Sequence, residues 1–249
     1  MTTAEKLTTI AENEQKVYDA GKQAFYDFFW DEFQQNGELT NYIGAFGGQW
    51  TLDTFKPKYP IRPTYANFMF YNSLSQALVI EDFVEFCKEN NVVLDFSNCI
   101  AAQYGLACLW TEHFGVLDFS KSTNIFSLFY SHNNNSGVKK IDEFISSEKT
   151  KFNTEASTNG TFHMATQLTD ITMSGVVACS INFGTCPLNK TSIESVVNVL
   201  SSTVSGQTVT FKKTAVNTAF GINIDSESTY TEEWNTLRNS KSNWTFNFV

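Results

Sequence analysis

Apolar and polar side chains alternate through residues 92–97. Val92, Leu94 and Phe96 fall on one face and Val93, Asp95 and Ser97 on the other, the period of a half-buried strand. The phrase Val93-Leu94-Asp95-Phe96-Ser97 returns as Val116-Leu117-Asp118-Phe119-Ser120, an offset of 23 residues. Self-similarity at that distance predicts stacked repeats, each adding one short strand, or rung, to a growing sheet. Asn98-Cys99 turns the chain after the first rung. Weaker rungs are expected at Asn67–Phe70, Lys140–Ile145 and Leu168–Met173, with Ile141 aligned to Leu117 and Ile171 to Ile141, and an insertion within 146–167. Between rungs, Leu78, Val79, Phe83, Val84 and Phe86 have mixed helical spacing, with Glu81, Asp82 and Glu85 toward solvent. Ile125, Phe126, Leu128 and Phe129 suit a helical or irregular back.

The two ends have another texture. From the capping-box candidate Thr2-x-x-Glu5 to about Gln35 the chain reads as helix, with a 3/4-spaced seam of Leu7, Ile10, Val17, Ala24 and Phe28 that Glu14 and Gly21 interrupt. That seam either packs on its own body or joins copies of the chain as a homo-oligomer. The aromatic run Phe25–Phe33 is expected to dock on the body. Asn36-Gly37 ends the helix. Gly44-Ala45-Phe46-Gly47-Gly48 lacks the following Lys-Ser or Lys-Thr of a phosphate loop and reads as a tight turn. Pro57, Pro60 and Pro63 make an extended, stiff segment. At the C-terminus, Thr191-x-x-Glu194 opens a helix over 193–200, 207–211 is a strand, Thr229-x-x-Glu232 opens a helix over 231–240, and 244–249 is a last strand. The predicted fold class is α/β: an N-terminal helix (1–37), an irregular repeat solenoid (38–187) and a helix–strand cap of the same solenoid (188–249).

Composition narrows the function. The 23 Phe either replace Leu in a core or expose rings for contact. A net charge of −9, with lysines only in isolated pairs such as Lys139-Lys140 and Lys212-Lys213, argues against nucleic acid and against anionic membrane. Cys87, Cys99, Cys108, Cys179 and Cys186 lack framework or zinc spacing and read as free thiols. The N-terminus has no apolar signal core and no stretch is long enough to span a bilayer, so no membrane insertion is expected. A virion or extracellular surface location reached without a signal peptide is expected, with the cytoplasm as the alternative.

The chemistry of a catalytic centre is missing. His113, His132 and His163 have no carboxylate or cysteine at ligand spacing, and no His-Glu-x-x-His, Gly-x-Ser-x-Gly or Gly-x-x-x-x-Gly-Lys motif occurs. Asp95 and Asp118 could form an acid–base pair, but repetition accounts for them more simply. No enzyme activity, cofactor or metal is expected.

Val92–Cys99 and Val116–Ser120 resemble the V-x-L-D-F/L-S-x-C rung of BspA-like bacterial leucine-rich repeats. The tail, with Ser192–Leu200, a Thr-rich strand and a final strand opening Asn243-Trp244-Thr245, resembles the ending of that class. Ala4–Gly21 resembles openings of repeat proteins from gut Firmicutes and their phages. The resemblance implies a leucine-rich-repeat fold and a recognition role without a reaction: a phage or prophage tail or surface protein binding a host protein or glycan, or alternatively an intracellular module that captures a host factor. Candidate contacts are Tyr104, Trp110, His113, Tyr130 and His132, in or beside the irregular backs.

Overall fold

A computed structural model describes residues 12–17, 20–21, 23–24, 27–29, 39–46, 50, 52–71, 78–130, 137–152 and 160–249. Its elements are β1 (Leu78–Val79), α1 (Phe83–Asn90), β2 (Leu109–Trp110), β3 (His113–Asp118), β4 (Lys140–Ser146), β5 (Asp170–Gly175), β6 (Ile181–Phe183), α2 (Lys190–Val199), β7 (Gln207–Phe211), α3 (Lys213–Phe220), α4 (Glu232–Asn239) and β8 (Trp244–Phe248). Helix and strand mix in small parallel sheets, ordered β1-β2, β3-β4-β5 and β6-β7-β8, with no closed barrel among the described residues.

Parallel pairing continues outside the named strands. Isolated bridges join Asn41 to Tyr65, Tyr65 to Ala101 and Ala101 to Asn124, so four turns lie one above another. Three backbone bonds link each turn to the next. Tyr42, Gly44 and Phe46 donate to the carbonyls of Tyr65, Asn67 and Met69; Ala66, Phe68 and Phe70 donate to those of Ala101, Gln103 and Gly105; Ala102, Tyr104 and Leu106 donate to those of Asn124, Phe126 and Leu128. One pattern recurs in all four. The residue after the bridge is buried (Tyr42, Ala66, Ala102, Ile125), and so is the fifth (Phe46, Phe70, Leu106, Phe129). The third has positive φ: Gly44, Phe68, Tyr104 and Ser127.

The repeated phrase also stacks. Phe96 and Phe119 lie 4.9 Å apart, close to one inter-strand spacing. Ser122 Oγ donates to the Cys99 carbonyl at 2.6 Å, across the predicted 23 residues. Asp95 and Asp118 play the same part in their copies, each accepting the amide of the serine two residues on at 2.9 Å. They are turn formers, and the repetition reading is the one that fits.

Several expectations need correction. Residues 67–70 form a turn rather than a strand-like rung. Among the described residues the 92–97 rung forms a single bridge, Leu94 with Ile61, rather than a ladder with β3. Leu117 pairs with Phe144 rather than Ile141, whose partner in β3 is Phe114, whereas the Ile141–Ile171 register is as expected. Asn189, not Thr191, caps α2 by accepting the Ser192 amide, and Thr231, not Thr229, caps α4 by accepting that of Trp234. The strand pattern was too short to reveal β6, and α3 was not anticipated.

Serines of α2 satisfy the outer edge of β5. Ser192 Oγ accepts the Ile171 amide at 2.8 Å and Ser195 Oγ the Met173 amide at 2.7 Å, so a helix stands where a further strand would. The phenylalanines form a chain of rings through the core, from Phe46, Phe55, Phe86, Phe83 and Phe114 to Phe129, Phe162, Phe183 and Phe211. Most of the described phenylalanines thus replace aliphatic core residues, and only a few rings are left at the surface.

Candidate functional site

At two of the four stacked turns the positive-φ position carries an aromatic side chain. Left-handed backbone costs an ordinary residue about 1–2 kcal/mol, which is why glycine and asparagine usually hold such positions. Gly44, with φ +66° and nothing within 4 Å of a notional Cβ, follows that rule. Phe68 and Tyr104, both at φ 56°, break it. Their rings stack nearly parallel, 5.1 Å apart with 11° between planes. Tyr71 and Tyr130, each six residues past a bridge, close on them. Tyr104 lies 5.4 Å from Tyr71 and 5.3 Å from Tyr130, and Tyr71 lies 5.6 Å from Phe68. Phe68 is 38% exposed and the tyrosines are half-buried, so the four rings form a pre-organised patch at the surface. No residue of 41–46, 65–71, 101–107 or 124–130 is charged.

The patch brings together two expected contact residues, Tyr104 and Tyr130, and adds Phe68 and Tyr71, which sequence reasoning missed. The missed signal was positional: Phe68 and Tyr71 stand at the same steps from Tyr65 as Tyr104 from Ala101 and Tyr130 from Asn124. His132 lies outside the described residues. Trp110 is half-buried in β2, paired with Val79, and its indole Nε1 is buried without a hydrogen-bond partner among the described residues.

His113 is engaged elsewhere. Its Nδ1 lies 3.0 Å from Asp82 Oδ2 and its Nε2 2.9 Å from Asp142 Oδ1. Asp82 also caps α1 by accepting the Val84 and Glu85 amides, and Lys140 reaches Asp142 at 2.8 Å. The carboxylates that sequence spacing did not reveal come from 31 and 29 residues away, on neighbouring rungs. Burial pushes the His113 pKa down, but the hydrogen bonds and charges of Asp82 and Asp142 outweigh it and raise it overall. Burial pushes Asp82 and Asp142 up, and their hydrogen bonds, to His113 and backbone amides for Asp82 and to Lys140 and His113 for Asp142, bring both below their ordinary value.

With both ring nitrogens occupied, His113 is a clamp between rungs rather than a free acid or base. The folded state holds its proton more tightly than the unfolded state does. Its contribution is therefore complete below the ordinary value of 6.5 and is lost as pH rises through the raised folded value. The aspartates contribute fully above 3.8 and lose their share as pH falls through their depressed values. Stability to urea is expected to be highest between those limits and to decline on the alkaline side. His113→Gln should remove the alkaline decline; a parent curve flat from pH 5 to 8 would contradict the clamp.

Burial holds the Cys87 and Cys186 thiols up at about 12 and Cys99 at about 11, with hydrogen bonds softening the shift for Cys99, so these thiols are not nucleophiles at neutral pH. All five cysteines are free. Among the described residues no group of three or more His, Cys, Asp or Glu is placed to hold a metal ion, and no helix is long and apolar enough to cross a membrane. Of the expected oligomerisation seam, Leu7 and Ile10 lie outside the described residues. Val17 is 74% exposed, Phe28 is 59% exposed and Ala24 is exposed. Phe29 beside them is buried, edge-on to Trp50 at 5.0 Å and 5.7 Å from Phe46, so one ring of the aromatic run does dock. Compared with protein-family models, curated proteins and solved structures, the chain finds no match.

Proposed function

We propose that the chain is a leucine-rich-repeat-like solenoid acting as a non-enzymatic recognition protein, of the kind a phage or prophage carries on its tail or surface to bind a host protein or glycan. The observation that carries this reading is the aromatic patch. Four rings are held in mutual contact at the surface, two of them on backbone that favours glycine, and departures from local preference concentrate at functional sites. The parallel stacking of turns and rungs, with helix α2 closing one sheet edge, supports the solenoid.

The N-terminal segment, which the sequence pattern marks as helical, supplies the other half of the reading. Val17, Ala24 and Phe28 are exposed while Phe29 is buried against Trp50, an arrangement suited to joining copies and so multiplying weak contacts. Phe28→Glu is expected to reduce the mass in solution from that of a dimer or trimer to that of a monomer, leaving the melting temperature unchanged. A parent chain that is already monomeric would remove assembly from the account. A second reading, an intracellular module capturing a host factor, is favoured by the five free thiols, which suit a reducing compartment. Antibody detection of the chain on purified particles supports the first reading; detection only in the soluble fraction of a lysate supports the second.

A further inference from the structure

We propose that the ring patch is a binding site for a neutral glycan, an inference that rests on the recognition reading and commits it to one ligand class. The stacked turns carry no charged side chain, in a chain whose net charge is −9. A ligand that depended on charge, whether an acidic polysaccharide, a phosphate-bearing polymer or a basic peptide, would find no counter-charge there. What the patch does offer is an exposed ring at Phe68 and three phenolic side chains from Tyr71, Tyr104 and Tyr130. Neutral sugars have the matching character: one face is C–H and packs on a ring, while the rim is hydroxyl and exchanges hydrogen bonds with phenols and amides. The rings are braced against each other by contacts of 5.1–5.6 Å, so little side-chain freedom remains to be lost on binding.

The positions of the rings also argue for selection by a ligand. At the equivalent step of the first turn the chain uses Gly44, the residue that geometry favours, and the turn forms without a ring. Phe68 and Tyr104 are therefore unnecessary for the turn. Being partly exposed, they also bury less apolar surface than the core phenylalanines do.

The left-handed backbone supplies an unusually clean test. Asparagine accepts that conformation, so Phe68→Asn and Tyr104→Asn delete a ring without straining the turn. The full-length chain and both variants are applied to a printed array of neutral hexose and N-acetylhexosamine oligosaccharides alongside acidic ones. The expected result is capture by neutral oligosaccharides, reduced at least about tenfold in each variant, with melting temperatures within about 2 °C of the parent. Capture by acidic glycans alone, or by none, overturns the assignment, as does neutral capture that survives both substitutions. A silent array with variants that no longer adhere to intact bacterial cells removes the glycan and leaves recognition standing, with a protein as ligand. Unchanged adherence as well removes both.

Discussion

Phe162→Ala is expected to destabilise the protein by about 3–5 kcal/mol, the range for truncating a buried phenylalanine, and to lower the melting temperature by roughly 10 °C. Phe162 is fully buried. Its ring lies 4.5 Å from Phe183 of β6, 5.4 Å from Phe144 of β4 and 5.6 Å from Phe129 of the fourth stacked turn. One side chain thus joins both three-stranded sheets to the stacked turns, and neighbours held by backbone ladders on three sides cannot collapse to fill the space it leaves. Urea denaturation with matched thermal melts provides the measurement. A loss under about 1.5 kcal/mol would mean that the ring chain is not continuous at this point. Tyr130→Ala, which removes a half-buried ring from the patch, is the contrast and should cost about 1 kcal/mol or less.

Gly175→Ala should be nearly as damaging despite adding a single methyl group. Gly175 ends β5 at φ +80°, paired with Ser146 of β4, and a Cβ there would sit 1.9 Å from the Ser146 carbonyl oxygen. That oxygen also accepts the Val176 amide at 3.1 Å, so the obstacle is backbone held in place on both sides. The left-handed conformation costs about 1–2 kcal/mol and the overpacking a further 1–3 kcal/mol or so. The expected loss is therefore about 2–5 kcal/mol by the same denaturation measurement. Gly44→Ala, at similar φ but with open space, isolates the backbone component and should lose only about 1–2 kcal/mol. Equal losses in the two variants would contradict the close approach of β5 to β4.

The contrast between the two repeating features explains what could be read from the chain in advance. Val93–Ser97 and Val116–Ser120 were legible because both the residues and their job are repeated: Asp95 and Asp118 close the same turn, and Phe96 packs on Phe119. Strands β4 and β5 were legible from their place in the repeat, and α2 and α4 from helix-start signals, with the caps misplaced by a few residues. The four stacked turns were not. Asn41 and Asn124 match, each accepting the amide two residues on, but Tyr65 and Ala101 resemble neither and the separations are unequal. Across all four turns what repeats is backbone conformation rather than side-chain type. For the same reason Phe68 and Tyr71 went unnoticed although Tyr104 and Tyr130 were singled out. The clamp at His113 was hidden by distance, because Asp82 and Asp142 reach it only once the rungs are stacked.

The claim that the ring patch is a recognition surface is tested most directly by adherence of the chain to intact bacterial cells, comparing the parent with the double variant Phe68→Asn/Tyr104→Asn. The account predicts that the parent adheres and that the double variant, melting within about 2 °C of it, loses adherence by more than about tenfold. A double variant that folds and adheres as well as the parent would contradict it.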